Sequence, residues 1–377
     1  MSCTLLYHDR YLDYNFGPEH PFSPRRQELI IDLLAALDRP IDPVAPPVAT
    51  RADVRRVHSE PFVRIVEDAS DGTAPSQAWD YGLDTGDVPV FSGMDAASRG
   101  LVGGTLHGAR LLAEGDASRV LQFGGGLHHA RHERAAGFCV YNDLSVAIDH
   151  LRQQDLRVAY LDIDVHHGDG VQWLHYDDPG VLTISLHESG RHLYPGTGGI
   201  EEVGEGAGEG SAVNVPLAPY TEPDSYLDAF ERVVPYALKH FGPDVLVVQC
   251  GADAHFQDPL ADLLLTTRTY ATLFRRITEL ADTHSEGRLL CTLGGGYRLH
   301  AVVRIWALLT LHLRGDDIPE HLPDAWRERW AELLDGPPPT TLHDEEPSFD
   351  VPRRDEIQAE NERTSTQVLE HLAPYWY

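Results

Sequence analysis

Positive charge is scarce in this sequence. Basic residues number 30 against 59 acidic ones, for a net charge of −29. That balance argues against nucleic acid or an anionic membrane surface as the main partner. An acidic surface instead attracts a cationic substrate, or serves solubility in a saline cytoplasm; composition leaves both readings open. Lysine is nearly missing: Lys239 is the single one, and every other basic residue is arginine. Cysteine is rare too. Cys3, Cys139, Cys250 and Cys291 form no C-x-x-C pair, and three of them sit in apolar runs, as expected of reduced thiols in a cytosolic protein. No signal peptide precedes Tyr7, and no apolar run reaches membrane-spanning length. The expectation is a soluble, cytoplasmic protein. At 377 residues it can bury a large core, as one large α/β domain or two smaller ones.

What the chain does have is a series of apolar runs with chemistry at their ends. A first strand is expected at residues 4–7. Prolines 18, 21 and 24 then lead to a helix over 25–37. Arg25 and Arg26 stand at its start, where the helix dipole disfavours cations, which hints at a local need for positive charge. Residues 40–47 form a proline-rich connector, 60–69 a helix, 80–94 a surface loop carrying Asp87, and 95–113 another helix. Further helices are expected over 224–240, 266–281, 300–313 and 354–372. Residues 196–210, rich in glycine and glutamate, would repel phosphate and are followed by no lysine; they read as a mobile surface loop. Residues 337–352 read as a proline-rich acidic linker.

Five apolar runs stand out. Residues 119–123 lead into Gly124-Gly125-Gly126-Leu127-His128-His129. Residues 158–161 lead into Asp162-Ile163-Asp164-Val165-His166-His167-Gly168-Asp169. Residues 181–186 end in His187-Glu188, residues 245–250 in Gly251-Ala252-Asp253, and residues 289–293 in Gly294-Gly295-Gly296-Tyr297. Near-continuous apolar strands mostly separated by helices predict a parallel sheet covered on both faces. Ligands bind such sheets at the carboxyl ends of the strands. Chance places one polar cluster at such an end readily, but not five.

Asp162, Asp164 and His166 alternate, so on a strand they share one face. Two carboxylates and an imidazole make a poor core and a good metal site. Asp164 and His166 are the proposed ligands, Asp253 the third, with Asp162 bracing the site from behind. Three protein ligands leave a position for substrate, which marks a catalytic rather than a structural centre. Zinc suits the set; iron(II) or manganese(II) also tolerates it. His128 and His129 are the candidates for proton transfer, with Asp162 and Asp169 holding their imidazoles. Tyr297, among glycines, can aim a hydroxyl at a developing oxyanion.

The motifs G-G-L-H-H-A, G-F-C-V-Y-N-D, D-I-D-V-H-H-G-D-G, S-L-H with Y-P-G-T-G, C-G-A-D and L-G-G-G-Y, in this order between about Pro18 and Leu313, resemble those of the zinc-dependent histone deacetylase family. The forms H-E-S-G-R-H-L-Y-P-G-T-G and D-A-H-F-Q-D-P-L resemble its bacterial acetoin-utilisation branch more than its acetylpolyamine branch. The resemblance implies a single-domain, arginase-like three-layer α/β fold around an eight-stranded, mostly parallel sheet. Residues 1–335 would form the deacetylase domain, and 336–377 a linker and helix packed on it. It implies zinc at Asp164, His166 and Asp253, pairs His128 with Asp162 and His129 with Asp169, and makes Tyr297 the oxyanion donor. It suggests potassium near Asp162, Asp164, His166, Ser185 and Leu186. Gly137, Phe138, Tyr194 and Gly295 would contact an acyl-lysine substrate, Asp87 would hold its backbone at the rim, and Arg26 would sit by an inner acetate channel. The implied reaction is hydrolysis of N6-acetyl-lysine in proteins, an acetylated acyl-CoA synthetase among them. Rival readings are an acetylpolyamine deacetylase, a binuclear manganese ureohydrolase and a non-catalytic acetyl-lysine binder. Tyr194 stands where the family usually has phenylalanine, and His255-Phe256 where many eukaryotic members have smaller residues; both bear on acyl preference.

Overall fold

A single parallel sheet organises the chain. In the computed structural model, which describes residues 3–334, 339–345 and 347–376, its strands are β1 (Cys3–Leu6), β2 (Arg119–Gln122), β3 (Val158–Asp162), β4 (Val181–Glu188), β5 (Ala212–Leu217), β6 (Val245–Cys250) and β7 (Leu289–Leu293). Their order across the sheet is β1-β2-β7-β6-β3-β4-β5, and every pairing is parallel. Among the described residues the sheet thus has seven strands rather than the eight implied. A further edge strand is cut to one bridge, Val44 beside Leu6. Val44 N donates to Leu5 O, and Val44 O accepts from Tyr7 N. Pro40, Pro43, Pro46 and Pro47 surround it, and proline cannot donate to a ladder. β5 escapes the search for apolar runs because Asn214 and Pro216 interrupt it.

The helices are α1 (Arg25–Ala36), α2 (Arg51–Val54), α3 (Glu60–Ala69), α4 (Met94–Glu114), α5 (Asp143–Arg152) and α6 (Asp169–Leu174) in the first half. α7 (Pro223–Phe241), α8 (Thr267–His284), α9 (Leu299–Arg314), α10 (Asp324–Trp330) and α11 (Arg354–Trp376) follow. Successive strand residues divide between two cores, as a pleat requires. Ala159, Leu161, Leu246 and Val248 join the core shared with α1, α7, α8 and α9. Val158, Tyr160, Val245 and Val247 join the core under α4 and α5. That sandwich is the three-layer arrangement. No described helix is long and apolar enough to cross a membrane.

The chain's end packs onto this frame. α11 lies against α7 and β5, and Asn361 accepts from Ala218 N while donating to Thr221 Oγ1 and Ser225 Oγ. The predicted linker over 337–352 falls in part on residues 337, 338 and 346, which lie outside the described residues. Residues 196–210 run along the surface, but Glu202 turns inward and accepts from Gly198 N, Gly199 N and Gln172 Nε2.

Candidate active site

The site forms where four neighbouring strands, β2, β7, β6 and β3, end together. β3 stops at Asp162, earlier than the alternation suggested. Asp162 Oδ1 accepts from Asp164 N, and Asp164 Oδ1 from His166 N. Such local side-chain bonds compete with the ladder and turn the chain out of the sheet. The three residues therefore do not share one strand face; the loop, not the pleat, gathers them.

Asp164, His166 and Asp253 bring one ligand atom each to within 4.8 Å of one another, and all three are buried. His166 Nδ1 lies 3.1 Å from Asp164 Oδ1 and 3.4 Å from Asp253 Oδ2. A tetrahedral ion with arms of about 2 Å has ligand edges of roughly 3.3 Å, so these spacings fit one. Asp253 Oδ2 is buried and makes no hydrogen bond. Such an orphaned acceptor is costly unless a cation faces it. Burial and Asp164 push the Asp253 carboxyl up to about 6. Burial opposes charge on His166, yet the hydrogen bond to Asp164 and the attraction of Asp253 outweigh it and raise its pKa to about 10.

Two glycines let the loops close on the cluster. A Cβ on Gly295 would fall 2.0 Å from Asp253 Oδ2 and 2.5 Å from Asp164 Oδ2. Gly137 has φ +53°, and a Cβ there would lie 2.1 Å from His129 Cδ2. Asp164 Oδ2 is oriented by Gln249 Nε2 at 2.7 Å and Gly295 N at 3.0 Å; the apolar run in which Gln249 is the next-to-last residue gives no sign of this role.

The rings of His128 and His129 lie with centroids 3.9 Å apart, their planes tilted by 52°. His128 Nδ1 meets Asp162 Oδ2 at 2.7 Å, and His129 Nδ1 meets Asp169 Oδ1 at 2.7 Å. A carboxylate accepts, so each Nδ1 donates and each Nε2 is left for other partners. Burial works against a charged His128, but Asp162 and Asp164 outweigh it and raise its pKa to about 9. Burial, then the neighbouring His128, lower His129 to about 4. The backbone of this loop is pinned by two residues that sequence reading named only within a motif. Asp143 accepts from Gly126 N and Leu127 N, and Asn142 Nδ2 donates to His128 O and Ala130 O.

Asp169 opens α6, and its Oδ2 takes the Arg131 guanidinium. Burial opposes its charge; the hydrogen bond from His129 and the pull of Arg131 outweigh burial and hold its carboxyl at about 2. A depressed folded pKa contributes stability that is present above the unfolded value of about 3.9 and fades as pH falls toward 2. The shift corresponds to about 2 kcal/mol. The stability margin of wild type over Asp169→Asn is therefore expected to shrink from about pH 5 down to about pH 2. Urea unfolding of both proteins across that window measures it, and a margin independent of pH would remove this assignment.

The remaining predicted residues surround this centre. Tyr297 N donates to Asp258 Oδ2 at 2.7 Å, and its ring meets Phe138 edge-on at 5.6 Å. Phe138 holds φ +64°, a strained value for a bulky residue, with its carbonyl accepting from Tyr14 Oη. Asp87 Oδ2 accepts from Gly137 N at 2.6 Å, so its carboxylate orders that wall. Tyr194 is 46% exposed, its ring 5.1 Å from that of His129, which puts it at the outer mouth. Ser185 pairs in register with Asp162, but its Oγ engages His187 Nδ1; Leu186 is buried beside it. Arg26 is fully buried behind Tyr297, donating from Nη1 to Gly294 O and Gly296 O. That explains a cation at a helix start: it serves a different loop. A cavity of about 20 Å³ lined by Phe22, Leu127, His128, Phe138 and Tyr297, among others, lies between these walls.

The fold and this geometry define a class: an α/β enzyme working at its strand ends, around a three-donor metal cluster and a histidine pair. The histidine pair, the cluster and the tyrosine all lie within residues 20–313, which match the model of the histone deacetylase domain. The acetoin utilization protein AcuC of Bacillus subtilis is 40% identical over 97% of this chain and 96% of its own length. The protein of the same name from Staphylococcus xylosus is 36% identical over 97% and 96%. Among solved structures, a histone deacetylase homologue from Aquifex aeolicus superposes with a TM-score of 0.87 at 28% identity, covering 97% of this chain and all of that one. A homologue complexed with SAHA gives 0.86 at the same identity and coverage. The chain belongs to the histone deacetylase family, as an AcuC-like member, and that family consists of metal-dependent hydrolases.

Proposed function

We propose that the protein hydrolyses the amide of N6-acetyl-lysine in proteins or peptides, with zinc as the first candidate for the ion at Asp164, His166 and Asp253. Iron(II) and manganese(II) fit the same donors. A bound divalent ion supplies Lewis acidity, polarising the acetyl carbonyl and lowering the pKa of water toward about 7. The observation that carries the reading is the juxtaposition of the three-donor cluster with two histidines, each held at 2.7 Å by its own buried carboxylate.

Neutral His129 accepts the proton of the attacking water at Nε2, since its Nδ1–H is committed to Asp169. Protonated His128 gives its Nε2 proton to the departing lysine amine. Tyr297 donates from Oη to the oxygen that gains charge as the carbonyl becomes tetrahedral. Burial, followed by the Asp253 and Asp164 charges, keeps its phenol pKa well above the usual value, so it stays a donor. Phe138 and Tyr194 flank the entering acyl-lysine stem, Gly137 and Gly295 let it pass close to the backbone, and Asp87 lies at the rim. Arg26 sits where released acetate would find a cation. Potassium beside Asp162, Asp164, His166, Ser185 and Leu186 is part of the same reading. An acetylated acyl-CoA synthetase is the candidate protein substrate in the same reading.

The test is acetate release from an acetyl-lysine peptide and from acetylspermidine, with metal content measured on the same sample. The expected result is one divalent ion per chain, and peptide turnover lost with chelator and restored by added zinc. Preference for acetylspermidine would give the substrate to the polyamines. Two manganese ions per chain without peptide turnover would sink the deacetylase reading.

A further inference from the structure

The loop that carries Asp253 is gripped from a distant part of the chain. His255, two residues on, is fully buried, and its Nε2 lies 3.0 Å from Asp344 Oδ2. Its Nδ1 accepts from Gln257 N at 3.2 Å, so the proton sits on Nε2 and is donated to Asp344. Asp344 comes from the segment between α10 and α11, beyond the residues 20–313 that the family model matches. By sequence that segment reads as a linker, yet the Asp344 side chain is only 7% exposed.

Both of its oxygens are committed. Oδ1 pairs with Arg304 Nη1 at 2.8 Å, and Arg304 is itself buried within α9. Oδ2 accepts from Thr267 N at 2.8 Å and Thr267 Oγ1 at 3.0 Å, at the first residue of α8. Asp344 N returns a hydrogen bond to Thr267 Oγ1 at 2.7 Å. Charge-assisted bonds on both oxygens fix a carboxylate in position and direction. His255 is thereby locked to two helices of the frame.

From His255 the chain reaches the chemistry both ways. Backward lies Asp253, whose Oδ1 accepts from Val165 N at 2.9 Å while Oδ2 faces the cluster. Forward, Asp258 N donates to His255 O at 2.8 Å, and Asp258 Oδ2 accepts from Tyr297 N at 2.7 Å. One short loop thus presents a cluster donor and seats the tyrosine.

We propose that Asp344 is a positioning residue: through His255 it holds the loop that presents Asp253 and seats Tyr297, so the segment before α11 is part of the site's scaffold. The proposal rests on the reading of Asp253 as a metal ligand and Tyr297 as the oxyanion donor. Groups that orient ligands from behind typically govern metal affinity by about 10- to 100-fold.

The test compares the full-length wild type with Asp344→Asn, which sets an amide N–H₂ against either His255 or Arg304, and with His255→Leu, which leaves the Asp344–Arg304 pair intact. Arg354→Ala, which cuts an exposed tie to Glu222 and Phe349 O, serves as control. Affinity for Co²⁺ by chelator competition and its visible absorption are read where circular dichroism shows each variant folded. Both variants are expected to bind Co²⁺ about 10- to 100-fold more weakly, with a changed spectrum and a kcat on acetyl-lysine peptide that falls more than KM rises. The control should match wild type. Folded variants with wild-type Co²⁺ affinity and spectrum would overturn the proposal, as would unfolding of His255→Leu with wild-type Co²⁺ binding by Asp344→Asn. Should Co²⁺ binding weaken while wild type fails to turn over acetyl-lysine, the positioning role stands and the substrate reading falls.

Discussion

Tyr297→Phe is expected to lower kcat by about 100- to 1000-fold with little change in KM, the scale for one oxyanion donor. The substitution removes a single oxygen. The ring still meets Phe138 edge-on, the backbone N still donates to Asp258, and Arg26 still holds Gly294 O and Gly296 O in the turn before it. Thermal stability and metal content should therefore stay at wild-type levels, which separates lost chemistry from lost structure. A donor that acts only on the charged, tetrahedral oxygen contributes to the transition state and not to ground-state binding, hence the split between kcat and KM. Steady-state kinetics on an acetyl-lysine peptide give the answer, and near-normal turnover by the variant would strip Tyr297 of its role.

How much of this was legible beforehand depends on the range of each interaction. β2, β3, β4, β6 and β7 announce themselves because strands buried on both faces are apolar throughout. Their ends were equally visible, since glycine, histidine and aspartate interrupt a run of valine and leucine. β5 was hidden because Asn214 spends its amide on Gln172 and Glu202, a reason for polarity that no local pattern reveals. Asp164 and His166 emerged from an alternation that the fold does not use: the strand has ended, and side-chain bonds to backbone N–H groups shape the loop instead. Asp344 left no trace at all. Two of its partners, Thr267 and His255, lie 77 and 89 residues away in sequence and the third, Arg304, is in another helix, and an aspartate in an acidic, proline-rich stretch looks like solvent-facing charge. Arg26 is the converse case. A cation at the wrong end of a helix was visible as a local misfit, and only the fold supplies the carbonyls that resolve it.

His129→Ala and His128→Ala are each expected to lower amide turnover by about 100- to 10,000-fold, but for different reasons. The two histidine–carboxylate pairs are alike in length, 2.7 Å each. They differ in what stands behind the carboxylate. Tyr160 Oη, a neutral donor, bonds Asp162, whereas the Arg131 guanidinium sits on Asp169. A cation behind Asp169 offsets part of that carboxylate's charge, while burial and the neighbouring His128 work against a proton on His129. Among side chains Asp162 has no such cationic partner: its bonds come from His128, Tyr160 and Asp164 N, which leaves it the stronger hold on an imidazole proton. His129 is then the acceptor in the attack, and His128 the donor to the departing amine. An activated ester whose leaving group departs as a stable anion needs the first step but not the second. His128→Ala should therefore recover most of its lost rate on such an ester relative to the amide, while His129→Ala should stay slow on both. Equal losses for His128→Ala on ester and amide would mean that the two imidazoles do not divide the protons in this way, and that the Tyr160–Arg131 asymmetry behind them has another purpose.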